Sequence, residues 1–155
     1  MKRTTYTILE EPTGEMLEQL LICSLSYCET FSVVVRHTMD VAASALQVLE
    51  ELQPFLVTKL EESEWPGTEL LDETATVCRF KLTKETLGIL CHASDSLFSW
   101  MQPELPEDLC LFRPDGTPWL VTIAHEKDGY LELSTDEMNY LVTELREIKL
   151  SAALS

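Results

Sequence analysis

The sequence is poor in glycine and in basic residues, and both shortages limit what the protein can do. With five glycines in 155 residues, it has no glycine-rich loop of the kind that cradles phosphates, so nucleotide binding of the familiar kinds is excluded. Eleven Lys and Arg stand against 27 Asp and Glu, which gives a formal net charge of −16. Such a field repels nucleic acid and anionic lipid, and it speeds encounter with a basic protein surface.

The cysteines show no spacing of a zinc knuckle or of a thioredoxin-like site, because no Cys-x-x-Cys motif occurs. Most lie in apolar runs, which predicts buried free thiols in a reducing compartment: Cys23, Cys28, Cys78, Cys91 and Cys110. The N-terminal segment turns acidic before any apolar stretch, and no run is long enough to cross a membrane. We therefore expect no signal peptide, no membrane association and a cytoplasmic protein.

Hydrophobic periodicity predicts an α+β fold in one globular domain over residues 1–155. A helix follows Thr13, a candidate N-cap, and alternation over residues 27–37 predicts a strand. Helical spacing from Met39 to Leu60 predicts a second helical segment, kinked at Pro54. Alternation over residues 74–83 predicts a further strand, and Thr83 can cap a short helix over residues 84–93. We expect an antiparallel or mixed sheet of about five strands, packed by three to four helices.

The C-terminal part predicts a meander that leads into a last helix. Strands are expected over residues 108–112 and 118–126, followed by a type I′ turn at Asp128-Gly129 and a third strand. Ser134 and Glu137 have the spacing of a capping box and mark the start of the helix.

Within this hairpin lie the residues that most resemble a chemical site. With Asp128-Gly129 as the turn, His125 faces Glu132 across the strands, while Glu126 points to the opposite face. His125 and Glu132 are therefore a candidate functional pair, in which a carboxylate would orient a general base. No GxSxG motif supplies a nucleophile. We favour the alternative, a structural pair or an interface contact, and assign no catalytic residue.

Metal binding has as little support in the sequence. Folding could bring Cys91, His92, Cys110 and His125 together, but no HExxH motif, paired CxxC or EF-hand loop is present. We therefore expect no metal and no cofactor.

The most acidic stretch is a better candidate for function. Residues 61–73 contain six acidic residues and no basic one, and Trp65-Pro66-Gly67 predicts a loop. The predicted partner-binding acids are Glu61, Glu62, Glu64, Glu69, Asp72 and Glu73. Trp119, on an apolar face of the meander, is a further candidate partner contact.

The meander also resembles a segment of known proteins. Residues 108–133, DLCLFRPDGTPWLVTIAHEKDGYLEL, are similar to part of small, largely uncharacterised bacterial proteins, through the hairpin pattern with Trp119 and His125-Glu126. Some of these proteins carry a sporulation-stage label, and others resemble immunity or inhibitor proteins encoded by mobile elements. The resemblance implies no active site, so no functional residue is transferred from it.

The leading hypothesis is a non-catalytic acidic protein that neutralises a basic protein partner, as an immunity protein or a phage-type inhibitor mimicking nucleic acid would. Direct binding of nucleic acid is not expected, and a homodimer is compatible with the apolar meander. The alternatives are a small hydrolase or metal enzyme using His125, and a soluble scaffold whose acidity only solubilises it.

Overall fold

A computed structural model describes residues 2–151 of the chain, and over this range the fold is α+β, as expected. The helices are α1 (Gly14–Ser24), α2 (Ala43–Leu52), α3 (Lys84–Ala93) and α4 (Thr135–Glu144). The strands are β1 (Thr4–Thr7), β2 (Thr30–Arg36), β3 (Leu56–Glu62), β4 (Glu64–Trp65), β5 (Thr68–Glu69), β6 (Ala75–Lys81), β7 (Glu107–Phe112), β8 (Pro118–Ile123) and β9 (Asp128–Leu133).

Seven of these strands form one antiparallel sheet in the order β1-β9-β8-β7-β2-β6-β3, and β4 and β5 pair separately as a short hairpin. The sheet is therefore larger than the five or so strands that the sequence predicted. Its helix-covered face carries the main core, in which Phe31, Phe80 and Leu111 are buried together with the leucines of α1 and α3. Because side chains alternate along a strand, Val34 and Val121 lie on the opposite face, in separate small clusters.

Local capping signals place two of the helices as predicted. Thr83 accepts a hydrogen bond from the Thr86 N–H, and Ser134 accepts one from the Glu137 N–H, each as part of a reciprocal capping box. Thr13 occupies the N-cap position of α1, but its side chain makes no capping bond there.

The helical segment predicted from Met39 to Leu60 is wrong in its second half. Helix α2 ends at Leu52, a single 3₁₀ turn spans Gln53–Phe55, and the strand β3 begins at Leu56. Pro54 has no N–H to continue the helical hydrogen bonds, and the chain leaves the turn in an extended conformation. Strand β3 then pairs with β6 alone, so it forms one edge of the sheet.

Trp119 is a core residue and not a surface contact, which corrects its assignment as a candidate partner contact. The pairing of β7 with β8 shifts register between Leu111, opposite Leu120, and Phe112, opposite Pro118. Trp119 is the extra residue of this bulge, and it is buried in the helix-side core together with Leu120. Its ring stacks on Tyr27 with the ring centroids 6.5 Å apart, and it is 1% exposed.

Candidate functional site: an acidic edge and a buried carboxylate

The acidic stretch is an ordered part of the fold and not the plain loop that the sequence predicted. Glu61 and Glu62 end the edge strand β3, and Glu64 and Glu69 lie directly opposite each other in the β4–β5 hairpin. Five of the six acids are exposed. We call these five the acidic edge: Glu61, Glu62, Glu64, Glu69 and Asp72.

One buried aromatic residue anchors the β4–β5 hairpin to the sheet. Trp65 is 6% exposed and packs on Val34 and Ala75, on the face that the helices leave uncovered. Its indole N–H donates a hydrogen bond to Asp108 Oδ2 at 2.9 Å. Asp108 Oδ1 in turn accepts the Ala124 N–H at 3.0 Å, so one carboxylate joins the hairpin to the end of β8.

Gly67 brings the hairpin close to the sheet. It has a φ of +89°, and a Cβ at this position would lie 2.9 Å from Ile123 Cγ1. A side chain is therefore excluded here both by the left-handed backbone and by the close approach to β8. The acids of the hairpin are consequently presented on a fixed element.

Two of the six predicted acids are bound to neighbouring side chains. Glu61 accepts one hydrogen bond from the Thr76 hydroxyl and lies 2.6 Å from His37 Nε2. These contacts lower the pKa of Glu61, with the Thr76 bond as the largest cause. Glu73 is half-buried, and its Oε1 accepts a hydrogen bond from Arg36 Nη2 at 2.9 Å. Glu73 is therefore paired with Arg36 within the fold, while the five acids of the acidic edge remain exposed.

The structure does not pair His125 with Glu132. Strand β8 ends at Ile123, the connection runs through a 3₁₀ turn at Ala124–Glu126, and Leu120 lies opposite Leu131. Asp128 and Gly129, the predicted turn, belong to β9 instead. In the connection between β8 and β9, the residue with a left-handed backbone is Lys127, with a φ of 51°.

The packing around Gly129 explains why this glycine lies in β9 and not in the predicted turn. A Cβ on Gly129 would lie 3.2 Å from Phe98 Cε1 and 3.2 Å from the Val121 carbonyl oxygen. A side chain here would press on Phe98 and on the backbone of β8, so Gly129 serves close packing within the sheet and not a turn.

The actual partner of His125 is a buried carboxylate that the sequence did not single out. His125 Nε2 lies 3.0 Å from Glu107 Oε1, and this oxygen also accepts the Gln102 N–H. Glu107 is 1% exposed, and burial is the main cause that raises its pKa. Its Oε2 is buried without a hydrogen-bond partner among the described residues. The sequence does contain a signal for this buried carboxylate, because two adjacent acids, Glu107 and Asp108, begin an otherwise apolar strand.

This arrangement can hold an imidazole in one orientation but aligns no further group. The His125 side chain is 45% exposed, so one edge of the ring is open to solvent. Within residues 2–151, Glu107 is the one side chain that makes a hydrogen bond with His125. A base oriented by a carboxylate is therefore present, without a nucleophile beside it.

The cysteines and the remaining predicted ligands do not form a metal site. All five cysteines are free, Cys91 is half-buried, and the others are buried. Burial raises the pKa of Cys110 to about 12. In the described part of the chain, no group of three or more His, Cys, Asp or Glu could hold a metal ion. No helix between residues 2 and 151 is long and apolar enough to cross a membrane.

In comparisons with known proteins, no family model, no curated protein and no solved structure matches the chain.

Proposed function

We propose that this is a non-catalytic acidic protein that neutralises a basic protein partner, in the manner of an immunity protein or a phage-type inhibitor. The observation that carries the proposal is the pairing of Glu64 with Glu69 in the β4–β5 hairpin. Like charges directly opposite each other destabilise a strand pair. A basic partner would relieve this repulsion, and the energy released would favour binding.

The way in which the acids are held supports the same proposal. Trp65 and Gly67 fix the hairpin against the sheet, so the acidic edge loses little conformational entropy on binding. The net charge of −16 adds a long-range field that steers a basic surface toward the protein. A row of fixed carboxylates is also the chemistry by which a protein can mimic the phosphates of a nucleic acid.

Capture from an extract of the source cell tests the proposal. The parent chain is compared with a neutral-edge variant that carries Glu62→Gln, Glu64→Gln, Glu69→Gln and Asp72→Asn, which are exposed acids of the acidic edge. Glu61, the fifth, is left unchanged because it contacts Thr76 and His37 within the fold. The matched control removes four charges elsewhere, with Glu18, Glu85, Glu144 and Glu147 replaced by Gln, all exposed on helices or just after one. We expect the parent and the control to retain one basic protein and the neutral-edge variant to lose it. Equal capture by all three would contradict the proposal and favour acidity that only solubilises the protein.

A small enzyme using His125 is the second candidate, and the contact between Glu107 and His125 favours it. In that case His125→Ala would abolish the biological effect while the neutral-edge variant retained it. We expect the reverse result.

A further inference from the structure

We infer that the free edge of β3 binds an extended basic segment of the partner as an additional strand of the sheet. This inference rests on the proposed function and specifies its site and its mode of binding. The observations that support it are the unpaired edge, its exposed apolar side chains and a groove beside it.

Among the residues that the structure describes, strand β3 has a neighbour on one side only. It pairs with β6 from Leu56 to Glu62, and the sheet ends there. An unpaired edge presents backbone N–H and C=O groups that can bond to another strand. Natural edges are commonly protected by proline, by charged side chains, by bulges or by covering elements. Strand β3 carries Lys59 and a bulge between Leu56 and Thr58, but it contains no proline, and six of its seven residues are exposed.

Two apolar side chains of β3 are exposed without cover. Val57 is 47% exposed and Leu60 is 53% exposed. The opposite edge strand, β1, has four residues, all of them half-buried, and is therefore a poorer template. Added strands gain affinity from backbone hydrogen bonds and specificity from pockets for alternate side chains. Leu60 lies opposite Val77 and offers such a contact on the face of the Trp65 cluster. Val57, the extra residue of the bulge between Leu56 and Thr58, offers a second exposed apolar contact.

A groove of about 180 Å³ lies beside β3 on the helix-covered side of the sheet. Its lining is partly apolar, with Val35, Leu49, Leu56 and Phe80, and partly polar, with Gln53, Lys59 and Thr76. Since every second side chain of an added strand would face this side, the groove can accept one apolar side chain.

The balance of charge at this edge favours a basic occupant, because β3 carries two acids against one base, Lys59, and further acids follow it in the chain. Glu61 and Glu62 end β3, and the next acid along the chain, Glu64, lies in the β4–β5 hairpin. A basic strand would place its cations beside these carboxylates. A second copy of this chain would instead bring two acidic edges and two charges of −16 together, which opposes self-pairing.

The test uses two synthetic peptides of equal charge, one of four Lys-Val repeats and one of four Lys-Pro repeats. Proline removes the N–H groups that an added strand needs, while the charge remains. We expect the Lys-Val peptide to bind and to slow hydrogen exchange at alternate amides of residues 56–62. The Lys-Pro peptide should bind about tenfold more weakly or worse.

A pair of substitutions separates strand addition from attraction by charge. Leu60→Glu adds an acid but removes an apolar contact of β3, so it should weaken binding of the Lys-Val peptide about tenfold despite the extra charge. Leu71→Glu is the matched control, because Leu71 is 85% exposed and lies outside β3. This variant should bind as well as the parent or better.

Each outcome decides the inference. Equal binding of both peptides, or equal binding by Leu60→Glu and Leu71→Glu, would overturn strand addition while leaving the proposed function intact. If the neutral-edge variant bound the Lys-Val peptide as the parent does, with β3 still protected, the proposed function would fail and strand addition would stand. If the parent sedimented as a dimer that Leu60→Glu dissociated, a second copy would be the occupant, and the inference would be wrong.

Discussion

The Trp65 indole N–H and the Asp108 carboxylate are joined by a buried hydrogen bond of 2.9 Å, and this bond connects the two candidate sites. Asp108 follows Glu107, which holds His125, and Asp108 also accepts the N–H of Ala124. The acidic hairpin and the His125 turn are therefore fastened to the same end of β7. A change at this end should affect both sites.

The bond between Trp65 and Asp108 should contribute measurably to stability. Trp65→Phe removes the donor and Asp108→Asn weakens the acceptor, and we expect each change to lower the free energy of unfolding by about 1–3 kcal/mol, because a buried partner is left unpaired. The double variant should lose less than the sum of the two. Strictly additive losses in denaturant melts would mean that the bond contributes nothing.

Glu107 should make stability depend on pH in a defined direction. Its pKa is raised in the folded protein, mainly by burial, so the folded state holds the proton more tightly than the unfolded chain does. Between the unfolded pKa of about 4.3 and the raised value, the contribution of Glu107 to the free energy of unfolding therefore falls as pH rises. Glu107→Gln should remove this part of the pH dependence, as measured by denaturant melts across the acid range.

Two further variants check the assignment to Glu107. Glu126→Gln changes an exposed acid in the turn that contains His125. It should leave the pH dependence of the free energy of unfolding unchanged. His125→Ala removes a contact that lowers the pKa of Glu107, so the carboxyl carbon of Glu107 should titrate at higher pH in ¹³C NMR. A shift of the Glu107 titration to lower pH in His125→Ala than in the parent would contradict the contact between Glu107 and His125.

Arg113 and Glu137 form a buried two-bond ion pair that ties β7 to the start of α4. Arg113 Nε and Nη2 donate to the two carboxylate oxygens at 2.9 and 2.7 Å, and both side chains are less than a tenth exposed. Arg113→Met should cost about 3–5 kcal/mol, since it leaves a buried charge without a partner. Adding Glu137→Gln should recover part of this loss. If Arg113→Met lowered the free energy of unfolding by only about 1 kcal/mol or less, as is typical of a surface pair, the prediction for a buried ion pair would be wrong.

Elements with local signals were predictable from the sequence. The helix α3 follows Thr83 over the residues expected, and Ser134 starts α4, because a capping hydroxyl acts within one turn. The alternation of Phe31 and Val33 likewise marks β2.

Features that depend on distant packing were not predictable. Leucines at helical spacing continue through β3, where pairing with β6 overrides the pattern. The bulge at Trp119, which shifts the register of β7 and β8, and the close packing of Gly129 against Phe98 depend on residues distant in the sequence, and neither has a local signature. The contact of Glu107 with His125 spans 18 residues and depends on that register.

The pairing of Glu64 with Glu69 should reduce the stability of the fold. Glu64→Gln removes the repulsion with Glu69 across β4 and β5, so it should raise the free energy of unfolding by about 0.2–1 kcal/mol at low salt. Glu62→Gln, outside this pair, is the control and should change stability less. If Glu64→Gln proved destabilising, the pair would be a stabilising feature of the fold, and the main support for the proposed function would be lost.

The most direct test is the rate at which the captured basic partner associates, measured by stopped-flow over a salt series. For the parent, the association rate constant should fall steeply as salt rises, because charge steers the encounter and salt screens it. The neutral-edge variant should associate more slowly at low salt and depend less on salt, while dissociation changes less. Identical rates and identical salt dependence for the parent and the variant would contradict the account, since the acidic edge would then take no part in binding.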